Sequence, residues 1–127
     1  MLETILDEDE LYRRLPLISL NSDGTVNSAA FKLRGKPDPN ISVDLARLTT
    51  PQESLNRVVN PNNFRLGAFL ANTPRNLGLT VIHDPLDDNY AHSLIKDNEN
   101  IQNSKALCRL LAESTKVIFP PDEAIAD

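Results

Sequence analysis

Short apolar runs, cut by turns rich in proline, asparagine and glycine, dominate this chain, and only two stretches carry a helical period. Residues 41–46 alternate most clearly, with Ile41, Val43 and Leu45 on one side and Ser42 and Asp44 on the other. That two-residue period predicts a strand with one buried face. Residues 10–15 alternate in the same way, with Leu11, Arg13 and Leu15 on one side and Tyr12 and Arg14 on the other. Pro16 stops this strand or places it at a sheet edge, because proline donates nothing to the ladder, and residues 18–20 continue it beyond the break. Residues 79–83 and 91–96 read as a hairpin around an acidic turn over 84–90, with His83 and His92 at the two edges of that turn. Residues 64–71 predict a strand, with a short helix as the alternative, and 116–119 a final strand stopped by Pro120 and Pro121. Asn21, Ser22, Asp23 and Gly24 make a turn, since Asn and Gly tolerate positive φ and Asp and Ser bond nearby backbone. Residues 25–31 follow as a strand, or a strand entering an irregular segment, and 32–40 as a loop carrying Gly35, Pro37 and Pro39.

The first helical stretch covers 49–59. Thr50 stands as N-cap, Pro51 at the first helical position and Glu53 three residues after the cap, a capping box, and Leu55, Val58 and Val59 supply an apolar side. The second spans 101–114, where Ser104, Leu107, Cys108 and Leu111 share one stripe with Leu110 beside it. Between them, residues 73–78 close on Gly78 as a single helical turn. Strands outnumber helices, yet two amphipathic helices must each bury a face. An α+β fold follows, a mainly antiparallel sheet with two principal helices packed on one face. The 127 residues suit one domain, 1–127, with frayed ends at 1–9 and 121–127.

Composition narrows the functional classes. Aromatic residues make up 5% and tryptophan is absent, so Leu, Ile, Val and Ala must build the core. No apolar run approaches the ~20 residues of a membrane-spanning helix. The acidic N-terminus lacks the basic-then-apolar order of a secretory signal, so a soluble, cytoplasmic chain with no membrane partner is expected. Eighteen acidic residues against 13 basic ones give a net charge of −5, which works against non-specific nucleic-acid binding. The basic residues are scattered, the closest groups being Arg13 with Arg14 and Lys32, Arg34 and Lys36. A lone Cys108 allows no intramolecular disulfide and no Cys-based zinc site, and its place in the helical stripe makes it a core residue. Four isolated glycines draw neither a P-loop nor a dinucleotide turn, no nucleophile elbow is present, and no cofactor is expected.

Two groups of residues have the character of a site. His83, Asp84 and His92 are the candidate metal ligands, since imidazole and carboxylate suit zinc, iron or manganese. With 84–90 as the turn, His83 faces Ala91, and His92 points to the opposite side of the sheet; only a one-residue change of register would bring both rings to one face. The bland alternative is a turn in which Asp84, Asp88 and Asn89 cap backbone groups. The second group is Arg13 and Arg14. Alternation sends one of them toward the side that helices cover, where an arginine needs an anionic partner, and Asp44 is the candidate for a structural ion pair.

Residues 11–14, 28–31 and 42–44, with Val81, His83, Asp84 and Pro85 and then Asn89, Ala91, His92, Leu94 and Ile95, together resemble a small bacterial family of short, stand-alone proteins. That resemblance covers most of 11–120 and brings no activity with it; it implies that these polar positions act as a set. The Tyr–Arg pair ending the first strand, followed by a serine ahead of an aromatic, is also similar to the start of ADP-ribosyltransferase-like toxin folds. This second resemblance implies that Arg13 or Arg14 holds a dinucleotide phosphate and Ser28 its nicotinamide side. The late strand glutamate of such folds has no counterpart, because Glu99 and Glu113 fall in a loop and a helix.

Three functional expectations follow. The first is a soluble bacterial interaction module, an accessory or regulatory subunit whose partner is another protein. The second is a nucleotide- or RNA-directed enzyme or toxin, with Arg13, Arg14, Ser28 and His92 as candidate catalytic residues. The third is a metal-binding domain built on His83, Asp84 and His92. Small size, acidic charge and the missing catalytic frameworks favour the first, and lean against an enzyme.

Overall fold

Ile41, Val43 and Leu45 point to one side of their strand and are all buried, which fixes the face on which the core grows. The computed structural model describes residues 2–31, 40–96 and 104–120. Strands β1 (Glu10–Pro16), β2 (Ile41–Leu45), β3 (Phe64–Leu70), β4 (Val81–His83), β5 (His92–Ile95) and β6 (Lys116–Phe119) form one sheet. Every pairing is antiparallel, in the order β4-β5-β2-β1-β3-β6. Helices α1 (Pro51–Asn56), α2 (Asn72–Asn76) and α3 (Lys105–Glu113) complete an α+β fold. Among the described residues no helix is long and apolar enough to cross a membrane.

The two helices expected on one face divide between both. Cys108, Leu111 and Ala112 of α3 join Leu11, Leu15, Val43, Leu45, Phe69 and Ile95 in the main core, with Phe31 from a 3-10 turn over Ser28–Phe31. The shorter α1 lies against the other face, where Tyr12, Leu66 and Ala68 make a smaller cluster with Phe119. Its N-cap forms as the sequence indicates, the Glu53 amide donating to Thr50 Oγ1 at 3.1 Å, while the return contact of the capping box runs from that hydroxyl to Glu53 Oε1 at 3.2 Å in place of the Thr50 amide. The helix stops at Asn56, and Val59 is 93% exposed instead of lining an apolar side.

Other local differences have local causes. β1 is a central strand between β2 and β3, and Pro16 is tolerated as its last residue. Beyond it Leu17–Ser19 forms a 3-10 turn held by the Ser19 hydroxyl donating to the Pro16 carbonyl at 2.6 Å. After the turn closed by Gly24 (φ 87), only Val26 bridges back, to Leu20. Asn27 Oδ1 accepts from the Ala29 amide and bends residues 28–31 out of the extended state. Residues 64–70 form the strand, not the helix. The second helix begins at Lys105, and Ser104, expected on its apolar stripe, is its N-cap, with Oγ accepting from the Leu107 amide at 3.1 Å. The loop expected over 32–40 as far as residue 39, the helix expected over 101–103 and the fraying expected over 121–127 lie outside the described residues.

The N-terminal lead-in is tied down rather than frayed. Arg47 reaches Glu3, Thr4 and Asp9, Arg75 reaches Asp7 and the Ile5 carbonyl, and Ile5 itself is buried in the main core. One glycine is fixed by contact. A Cβ on Gly67 would stand 2.6 Å from Thr115 Cγ2 and 2.7 Å from Leu15 Cδ1, both buried, beside the register shift between β3 and β6. Gly67→Ala should therefore lower the unfolding free energy by about 1–3 kcal/mol through overpacking. A urea titration checks this, and an unchanged midpoint would mean that Leu15 and Thr115 move aside at no cost.

Candidate functional site

The polar side of β2 is not a solvated face. Asp44 pairs across to Tyr12 on β1 and to His92 on β5, and it is fully buried. Its Oδ2 accepts from Ser54 Oγ at 2.6 Å, Arg57 Nη1 at 2.8 Å and Arg14 Nη1 at 3.1 Å, and its Oδ1 from Asn89 Nδ2 at 2.8 Å. Burial on its own pushes this carboxyl up. The hydrogen bonds from Ser54 and Asn89 and the charges of Arg14 and Arg57 together outweigh burial, and hold the carboxyl below the ordinary 3.8 of an aspartate. Arg14 thus has the Asp44 partner that alternation along β1 and β2 points to. Ser54, Arg57 and Asn89 were not legible as its companions, since the first two arrive with α1 and the third from the hairpin turn.

The two histidines stay apart. His83 pairs with Ser93 rather than Ala91, a shift of two residues, which preserves the face of every side chain. His83 Nδ1 accepts from the Glu3 amide at 2.9 Å, so the proton sits on Nε2, which donates to the Tyr90 carbonyl at 2.6 Å. Both ring nitrogens are therefore engaged in holding the N-terminal segment to the hairpin. On the other face His92 Nδ1 lies 2.9 Å from the Asp84 carbonyl and 3.2 Å from its Oδ2, and His92 Nε2 lies 3.2 Å from Ser42 Oγ. His83 is thus separated from Asp84 and His92. Among the described residues no group of three or more His, Cys, Asp or Glu is placed to hold a metal ion.

Arg13 faces the core side of the sheet. Its Nε donates to the Ala30 carbonyl at 2.8 Å, its Nη1 to the Ser42 carbonyl at 2.9 Å, and its guanidinium stands 5.4 Å from the centre of the Phe31 ring. Burial, and then the nearby Arg14 charge, lower its pKa to about 10, so it stays protonated at neutral pH. These polar side chains fall into two groups, with His83 and Ser28 in neither. Arg14, Ser42, Asp44, Asp84, Asn89 and His92 lie on one side of β2, and Arg13 ties the 28–31 turn to β2 on the other. Arg14 and Ser28 are not brought together.

Ser28 instead lines an open groove of about 1510 Å³ bounded by the turn over 21–27, α3 and β6. Arg65, Lys105, Arg109 and Lys116 bring four positive charges to it, against Asp23 and Glu113. These basic residues were scattered in the sequence; their clustering comes from β3, α3 and β6 meeting at one end of the sheet. Comparison with protein-family models, with curated proteins and with solved structures found no match to this chain.

Proposed function

We propose that this chain is a protein-binding module, an accessory or regulatory subunit that docks on another protein through the groove between the 21–27 turn, α3 and β6. One observation carries the reading. The groove is open and bears exposed Lys105, Arg109 and Lys116 on a chain whose net charge is −5, whereas Asp44, His83 and His92 are engaged in internal bonds. Local charge opposed to the net charge selects an acidic partner surface and speeds its encounter.

The test is recovery of a stoichiometric partner from host lysate by the full chain, by a Lys105→Glu/Arg109→Glu variant, and by Ile82→Thr on the opposite face. Both positions of the double variant are exposed, and among the described residues the only ion pair it breaks is the exposed Arg109–Glu113 contact, so folding should survive. Loss of the partner in the groove variant alone is expected. Equal recovery by all three, or recovery of the chain alone, overturns the proposal.

A second reading, a nucleotide-directed enzyme, has one observation in its favour: Ser28 and Glu113 line the same groove as Arg65. It requires that overexpression harm cells or consume a dinucleotide, and that Ser28→Ala and Glu113→Gln abolish the effect without loss of fold. No turnover and no harm would remove it.

A further inference from the structure

The sheet has two edges, and they are treated differently. At one, β4 is three residues long, with Arg75 Nη2 3.5 Å from the Val81 carbonyl and the Glu3 amide bonded to the His83 ring. At the other, β6 pairs with β3 on one side, and among the described residues its outer side has no backbone partner. An unpaired edge is a row of donors and acceptors ready to accept another strand. β6 also forms a wall of the basic groove, through Lys116, Val117 and Ile118.

We infer that the occupant of the groove is an extended acidic segment of a partner protein, added as a strand along β6. This deepens, and rests on, the reading of the groove as the docking surface. Backbone bonds to β6 would supply register-independent affinity. Carboxylates on the added segment would meet Lys116, Lys105, Arg109 and Arg65, and its aliphatic side chains would meet Val117 and Ile118, the latter already 37% exposed. Lys116, the register shift at Leu66/Gly67 and Pro120 disfavour pairing of β6 with a second copy of itself, since two lysine-bearing edges repel. An acidic strand turns that same lysine into a contact. Single-stranded nucleic acid fits less well: among the described residues no aromatic side chain lines the groove to stack a base, and Asp23 and Glu113 would repel phosphates.

The test is an amide-resolved NMR titration of the full chain with three probes. These are a capped peptide of roughly seven residues alternating glutamate and valine, its lysine-for-glutamate counterpart, and oligouridine. The glutamate peptide is expected to shift the amides of Lys116–Phe119 and of the 21–27 turn. Its binding should weaken about tenfold in Lys105→Glu/Arg109→Glu, and also as salt is raised. Equal binding of the lysine peptide, tighter binding of oligouridine, or shifts confined to β4 and β5 overturn the inference. If the groove variant releases the protein partner but the glutamate peptide does not bind, the strand-addition inference fails and the docking reading stands. If the groove variant also keeps its partner, both fail.

Discussion

Asp44→Ala should destabilise the fold by roughly 3–5 kcal/mol, because it leaves the Arg14 and Arg57 guanidinium groups without the carboxylate that neutralises them. Against a typical total of about 5–15 kcal/mol, such a loss removes much of the stability of a domain this size. Asp44→Asn keeps the shape and the Ser54 contact, yet still leaves two cations facing a neutral group, so it too should unfold at clearly lower urea. The pH dependence carries a sign. Asp44 is held below its unfolded value, so its contribution is fully present above the ordinary aspartate range near ~3.9, and is lost as pH falls through that range toward the depressed folded value. Stability of the wild-type chain should therefore fall more steeply on acidification than that of Asp44→Asn. Parallel curves would show that Asp44 is not the charged centre of this face.

Phe31→Ala should cost about 3–5 kcal/mol by emptying the centre of the main core. The ring is fully buried, meets Phe69 edge-on at 5.6 Å and 70°, and carries the Arg13 guanidinium over its face. Phe31→Leu refills most of the volume but removes both the aromatic pair and the cation–π contact, so a loss of roughly 1–2 kcal/mol is expected. Thermal and urea unfolding of the two variants separate these terms. If Phe31→Leu were neutral, the ring would be a filler and Arg13 would be held by its two carbonyl acceptors alone.

The alternation in β1 and β2 made half of this architecture legible. It put Leu11, Leu15, Ile41, Val43 and Leu45 on one face, and brought Arg14 within reach of Asp44. It could not show that Asp44 is dry. Ser54 and Arg57 reach it because α1 follows β2 after a short connection and lies on the opposite face from α3. A helical period reports which side of a helix is apolar, not which face of a sheet receives it. Asn89 reaches Asp44 from 45 residues away, through a hairpin whose register differs by two from the simplest count. The faces of His83 and His92 were still legible, since an even shift leaves them unchanged. The 3-10 turns at 17–19 and 28–31 were hidden by apolar patterns that favour strands, and were decided by Pro16, Ser19 and Asn27. The groove was the least legible part. Arg65, Lys105, Arg109 and Lys116 are dispersed along the chain and become neighbours only when β3, α3 and β6 pack.

In the proposed division of roles, Asp44, His83 and His92 hold the fold and the groove at β6 binds the partner. Hydrogen exchange of the purified complex against the free chain tests it most directly. New protection is expected at Thr115–Phe119 and across the 21–27 turn, with no change around Ser42, Asp44 and His92. Protection centred on Ser42, Ile82 and His92, with the β6 amides unchanged, would contradict it and move the binding surface to the opposite face of the sheet.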